Sequence, residues 1–284
     1  MQVLITGASG RLGQILRTAW KTNGTLGFEP LWSCRKSGVK DSLDWDILMG
    51  AAPVIGKGTV ILHLAGVLQG DKSALSANSE MAINVCMAAK AAGSAQVFLA
   101  SSAAVYGESS RPHCEVHAPA PRSEYGRAKL QMERDALSWA QHSVGCIPQI
   151  TCLRIANVLG ADALFNEARS GKRVVLDNVP GQLGGPLRSY IGPNLFATVM
   201  ATLIGSIARG ERLPSVLNIA APGPVRMADL LNAAQIQFRL GTVDAEVIPK
   251  VSLSTKRLAA FLPVPEADAS SLVADWRIHM AAAA

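Results

Sequence analysis

A chain of 284 residues that is 49% hydrophobic can bury a full α/β core, as one large domain or as a cofactor domain carrying a smaller lobe, and this composition argues against disorder. The net charge of +6, from 27 Lys+Arg against 21 Asp+Glu, is dispersed along the chain, so no nucleic-acid surface is expected, whereas a few arginines beside a cleft suit small phosphorylated anions. No apolar run reaches the length of a membrane span, the start shows no secretory pattern, and the five scattered cysteines are odd in number; a cytoplasmic chain with no membrane role and no disulfide is expected.

Val3 to Thr6 reads as a short apolar strand, followed by a glycine turn and a helix over Leu12 to Trp20 with apolar spacing near 3.6. Leu31 to Cys34 is the next strand, Thr59 to Ala65 a fully buried one, Ser79 to Ala92 a helix, and Gln96 to Ala100 a further strand. A helix over Tyr125 to Gln141 leads to a strand over Ile150 to Ile155, and Leu195 to Ala208 has the size of a buried core helix. Strands alternating with helices predict a doubly wound parallel sheet, a Rossmann fold. Beyond Asn157 the rhythm loosens into the Gly/Pro-rich stretch Gly171 to Pro193, which predicts a small C-terminal substrate lobe. The expected division is a dinucleotide domain over 1–160 and a lobe over 161–284, with segments of the latter returning to the core.

Thr6-Gly7-Ala8-Ser9-Gly10-Arg11-Leu12-Gly13 lies between a strand and a helix, where dinucleotide pyrophosphates bind. Gly7 permits the tight turn, Gly10 admits the pyrophosphate to the backbone, and Gly13 allows close packing; Arg11 and Leu12 follow at the helix start. After the second strand an NAD site would place an acid for the ribose 2′-hydroxyl, but the residues are Ser33-Cys34-Arg35-Lys36. Arg35, with Arg11 as a second contact, is suited to a 2′-phosphate, so NADP is favoured, with NAD as the alternative.

Tyr125 and Lys129 are four residues apart on one predicted helix face, 23 residues after Ser102. An ammonium beside the phenol, with an oxidised nicotinamide, would draw the phenol pKa from about 10 toward neutrality, so that Tyr125 exchanges a proton with an alcohol or carbonyl oxygen. Ser102, at a strand end, would hydrogen-bond that same oxygen.

These motifs make the chain resemble the extended short-chain dehydrogenase/reductase family, which holds UDP-galactose 4-epimerase and related nucleotide-sugar epimerases, dehydratases and reductases. The resemblance also rests on His63-Leu64-Ala65-Gly66, Asn84-Val85, Ser101-Ser102-Ala103-Ala104-Val105-Tyr106-Gly107 and Tyr125-Gly126-Arg127-Ala128-Lys129. Leu153 to Gly160, Pro186 to Ile191, Leu217 to Ala220 and Arg226 to Leu230 extend it over nearly the whole chain. It implies that Lys129 holds the nicotinamide ribose, that Asn84 supports the lysine through water, and that Leu64, Ala65 and Gly66 line the coenzyme. An adenine-contacting aspartate is expected among Asp41, Asp44 and Asp46, with Asp44 chosen. Asn157 and Arg188 occupy the positions where nucleotide-sugar members contact the diphosphate, although Ser189-Tyr190-Ile191-Gly192-Pro193-Asn194 departs from the family continuation.

Ala103-Ala104 stand where dehydratases of the family carry an acidic pair, so dehydration is disfavoured. The expected function is reversible hydride transfer at a carbinol or ketone carbon of a sugar or nucleotide-sugar. The alternatives are an NADP-dependent reductase of a small non-sugar carbonyl compound and a non-catalytic NADP sensor. His113-Cys114-x-x-His117 lacks a fourth ligand, and no metal is expected. The helices over 79–92 and 125–141 resemble those through which family members dimerise, so they predict either a homodimer or simple cover for the sheet.

Overall fold

The computed structural model describes residues 1–22, 24, 26–35, 42–169, 171, 173–181, 183–244 and 247–283. In chain order it builds β1 (Gln2–Thr6), α1 (Arg11–Thr22), β2 (Glu29–Cys34), β3 (Ser42–Asp44), β4 (Val60–His63), α2 (Lys72–Ala91), β5 (Gln96–Ser102), α3 (Glu124–His142), β6 (Gln149–Ile155) and β7 (Asn157–Val158). There follow α4 (Ala163–Arg169), β8 (Val174–Asn178), β9 (Leu187–Ile191), α5 (Pro193–Ala208), β10 (Val216–Ile219), β11 (Pro224–Arg226), α6 (Met227–Ala234), β12 (Phe238–Val243), β13 (Lys250–Val251) and α7 (Ala269–Ala283).

Seven strands form one parallel sheet in the order β10-β6-β5-β4-β1-β2-β3. Side chains alternate across it with period two. Val3 and Ile5 of β1 face a core shared with Leu16 of α1 and Phe196 and Met200 of α5, while Leu4 faces Ala82 and Val85 of α2 and Met132 of α3. The doubly wound Rossmann fold expected from the alternating elements is therefore present, and its strands all deliver their carboxyl ends to one edge.

Helix α2 begins seven residues before the apolar pattern suggests. Asp71 caps it by accepting the Ala74 N–H at 2.8 Å, which stabilises a polar first turn that periodicity alone misses.

Apart from the main sheet there is a small sheet in which β9 pairs with β11, β13 and β7, and a separate parallel pair, β8 with β12. Phe165, Tyr190, Leu230, Leu231, Leu272 and Val273 belong to a further buried apolar cluster. Helix α5 and strand β10, although late in the chain, return to the main sheet and its core.

Candidate active site

β1 ends at Thr6 and the chain turns at Gly7 with φ +75°, in the left-handed region. A Cβ on Gly7 would lie 2.6 Å from Ala65 N, so the turn after β1 and the turn after β4 meet where only a hydrogen fits. Gly13 is equally confined: its Cβ would stand 2.4 Å from Gly7 O and 2.7 Å from Ala8 Cα. The Gly10 N–H donates to Gly7 O at 2.9 Å, and the first helical bond of α1 runs from Gln14 N–H to Gly10 O, also at 2.9 Å. No acid stands in the first turn of α1, so its free N–H groups remain available to an anion. This cradle fits a dinucleotide pyrophosphate.

Around the cradle, Leu12 packs on the core, and exposed Arg11 donates from Nη1 to Ala161 O at 3.0 Å. Ser33 O accepts the Ala8 N–H at 3.0 Å and so ties the glycine turn to the end of β2. Arg35 follows, exposed. Asp44 ends β3, exposed and in register with Cys34, whereas Asp46 accepts the Leu48 N–H at 3.1 Å. Asp41 and Lys36 lie outside the described residues.

Ser102 ends β5, and its Oγ accepts the Ala104 N–H at 3.1 Å, capping a short turn over Ala103–Val105. Helix α3 is capped by Ser123, which accepts the Gly126 N–H at 3.0 Å. A Cβ on Gly126 would lie 2.2 Å from Ala104 O. The start of α3 is thus pressed onto the turn after β5, and this contact brings Tyr125 to Ser102.

One turn on, Lys129 is only 4% exposed; its Nζ donates to Ala100 O at 2.8 Å, with Met132 Sδ at 3.8 Å. Burial lowers the Lys129 pKa to about 8, against the opposing pull of Cys152 and Glu133. Burial raises the Tyr125 pKa, and a hydrogen bond with Ser102 offsets part of that rise. Without a bound coenzyme, the groups acting on the phenol are thus burial first and Ser102 second, while the Lys129 ammonium is engaged by Ala100 O.

Gly66 is exposed, and a Cβ there would lie 2.9 Å from Asn78 Oδ1 and 3.2 Å from Lys129 Nζ. Asn84 is engaged elsewhere: its Nδ2 donates to Ile47 O at 2.8 Å, tying α2 to the loop after β3. The asparagine of α2 that borders Gly66 with the lysine is Asn78, which the sequence does not single out because the apolar pattern starts the helix only at Ser79, one residue after it. His63 is buried at the end of β4, with Nδ1 2.7 Å from Thr6 Oγ1; desolvation, then the charge of Lys129, lowers its pKa to about 3. His113 places Nε2 2.8 Å from Gly107 O and stacks on Tyr106, and no group of three metal-ligating side chains occurs among the described residues.

Beneath the site lies a buried polar network. Glu133 receives Arg154 through Nη2 at 2.7 Å and Nε at 3.1 Å, and Ser101 donates to the same carboxylate. Arg154 Nη1 donates to Tyr106 Oη at 2.8 Å, and Tyr106 in turn to Asn218 Oδ1 at 3.0 Å. Its sequence signal is Glu133 four residues after Lys129 on one helix.

Asn157 opens β7 and pairs in register with Tyr190 of β9. Arg188, two residues earlier on β9, donates from Nη1 to Leu187 O at 2.9 Å and from Nη2 to Ile248 O at 2.8 Å. Two of its five N–H groups are thereby used, and burial lowers its pKa.

Solved structures share this architecture. MoeE5 in complex with UDP-glucose and NAD is 20% identical, with 99% of each chain covered and a TM-score of 0.76. UDP-glucose-4-epimerase (galE) from Stenotrophomonas maltophila, with bound NAD and formylated UDP-arabinopyranose, is 17% identical at a TM-score of 0.78, over 99% of this chain and 98% of that one. TunA, an NAD dependent NDP-hexosamine 5,6-dehydratase of tunicamycin biosynthesis, is 19% identical at 0.75, over 98% and 97%. These likenesses are of fold, and no curated protein matches the sequence significantly. The profile of the NAD dependent epimerase/dehydratase family, however, matches residues 3–179, more than half of the chain, and the chain belongs to that family.

Proposed function

We propose that the protein catalyses reversible hydride transfer, dependent on NAD or NADP, at a carbinol or ketone carbon of a sugar or nucleotide-sugar. The observation that carries this reading is the gathering of Ser102, Tyr125 and Lys129 at the carboxyl end of β5, beside exposed Gly66 and the glycine cradle of α1. A bound nicotinamide would accept or return the hydride. Gly7, Gly10, Leu12 and Gly13 would hold the dinucleotide with Arg11, its pyrophosphate on the helix start, while Leu64, Ala65 and Gly66 line it and Asp44 meets the adenine. Tyr125 exchanges the proton at the substrate oxygen, Ser102 fixes that oxygen's position, and Lys129 holds the ribose.

Arg35, exposed beyond β2 with no acid among Ser33 to Arg35, supports a 2′-phosphate and hence NADP; the family description and the NAD-bound neighbours support NAD. Asn157 and the three unused N–H groups of Arg188 would meet a diphosphate at the lobe, which supports a nucleotide-sugar over a small carbonyl compound. The turn after Ser102 presents Ala103 and Ala104, side chains without a titratable group, which supports epimerisation or reduction over dehydration. The reading includes the division at 160/161 between dinucleotide domain and substrate lobe.

The test is to incubate the purified protein with NAD or NADP and panels of UDP-sugars and small ketones. Changes in reduced-nicotinamide absorbance are followed, and sugar products are identified by proton NMR. A C4 epimer or a reduced sugar supports the reading. Tight coenzyme binding with no product in either panel contradicts it and favours a sensor.

A further inference from the structure

The hydride-transfer reading leaves one buried polar side chain next to the lysine without a role. Asn78 is 1% exposed, in the second turn of α2, and its carboxamide is fully committed to the backbone. Nδ2 donates to Val67 O at 3.0 Å and to Leu75 O at 2.9 Å, and Oδ1 accepts the Val67 N–H at 3.2 Å. Two of these bonds go to the donor and acceptor of a single residue, so the side chain takes the place a paired strand would have and fixes the loop after β4 by its backbone. Only an amide satisfies this set, since it needs two donors and one acceptor on one planar group.

The clamped residue is next to Gly66, whose missing Cβ would meet Asn78 Oδ1 at 2.9 Å and Lys129 Nζ at 3.2 Å. The loop, the amide and the ammonium therefore share one contact point. The ammonium has one N–H on Ala100 O and another toward Met132 Sδ, which leaves its third for the side of Gly66.

We propose that Asn78 is a positioning residue for Lys129 and for the coenzyme floor: by clamping Val67 it holds Gly66 against the lysine and closes the α2 side of the ammonium to water. The proposal rests on the hydride-transfer reading for the purpose of that lysine. The titratable groups facing Lys129 are His63 on β4 and Cys152 on β6, with Glu133 on its own helix α3. None of them replaces the carboxamide on the α2 side.

Asn78→Ala opens that side to water, and Asn78→Asp keeps the volume while putting a carboxylate before two carbonyls. The lysine titration is read by NMR on protein carrying ε-13C lysine, assigned with Lys129→Met, and NAD affinity is read by calorimetry. We expect Asn78→Ala to weaken NAD by about tenfold and to raise the Lys129 titration by about one pH unit, with Asn78→Asp raising it further. A merely structural asparagine would lower the melting temperature and leave the titration of the folded variant where it was. If NAD affinity stays within about twofold of the parent, or if the titration does not move, in variants that fold, the proposal is overturned. In the unmodified protein the Val67 amide should exchange slowly with deuterium despite lying in a loop, and fast exchange would overturn the clamp even if neither variant folds. A protein that binds NAD but turns over no substrate would defeat the functional reading and leave these measurements decisive for Asn78.

Discussion

Replacing Lys129 with methionine should abolish turnover and yet make the fold more stable. The ammonium is buried, and desolvation lowers its pKa from 10.5 to about 8. That difference corresponds to a cost of about 3 kcal/mol for carrying the charge in the folded chain at neutral pH. Methionine fills a similar volume without charge and loses the hydrogen bond to Ala100 O, worth about 1 kcal/mol. The net gain at pH 7 is about 2 kcal/mol, or roughly 3 °C in melting temperature for a chain of this size. The sign of the pH dependence follows from the lowered pKa. Between pH 8 and 10.5 the unfolded chain holds a proton that the folded chain has released, so parent stability rises through this window. The advantage of Lys129→Met is accordingly full below pH 8 and shrinks as pH climbs to 10.5. Urea unfolding of both proteins at pH values across this range measures it. A variant less stable than the parent at neutral pH, or one whose advantage is independent of pH, would refute the reasoning.

Tyr125→Phe removes the proton-carrying oxygen and keeps the ring, so turnover should vanish while calorimetry shows unchanged coenzyme affinity; near-normal turnover would remove Tyr125 from the chemistry. Arg35→Ala should raise the Michaelis constant for NADP far more than that for NAD, and equal changes would count against a 2′-phosphate contact. Glu133→Gln leaves Arg154 charged and buried, with side-chain exposures of 5% and 3% for the pair, and should cost about 3–5 kcal/mol in chemical denaturation. Adding Arg154→Met to that variant should recover part of the loss, and strict additivity of the two substitutions would argue against coupling.

The features legible in the sequence are those fixed by local geometry. Gly7, Gly10 and Gly13 lie between a strand and a helix, and their spacing alone implies a close approach that the structure shows as Cβ positions only a hydrogen can occupy. Ser102 and Tyr125 were legible because one ends a buried strand and the other opens an amphipathic helix. Their meeting depends on Gly126 against Ala104, a contact between segments 22 residues apart that no periodicity shows. The electrostatics were less legible. Spacing places Lys129 beside Tyr125 on the helix, but the direction of the phenol pKa depends on burial, which outweighs the hydrogen bond with Ser102. Asn84 and Asn78 are six residues apart on one helix, and which of them borders the lysine is a matter of helix phase against the loop after β4. Short strands such as β3 and β13 are not legible, because two or three residues are too few to show an alternation.

The central claim is that the phenol of Tyr125 faces the reactive edge of a bound nicotinamide, with Ser102 beside it and Lys129 on the ribose. A crystal structure of the protein with NAD or NADP tests this directly. The account predicts Tyr125 Oη and Ser102 Oγ converging on one vacant position over C4 of the ring, with Lys129 Nζ hydrogen-bonded to the ribose hydroxyls. A coenzyme seated on the glycine cradle with the phenol turned to bulk solvent, or with Lys129 still confined to Ala100 O and clear of the ribose, would contradict it.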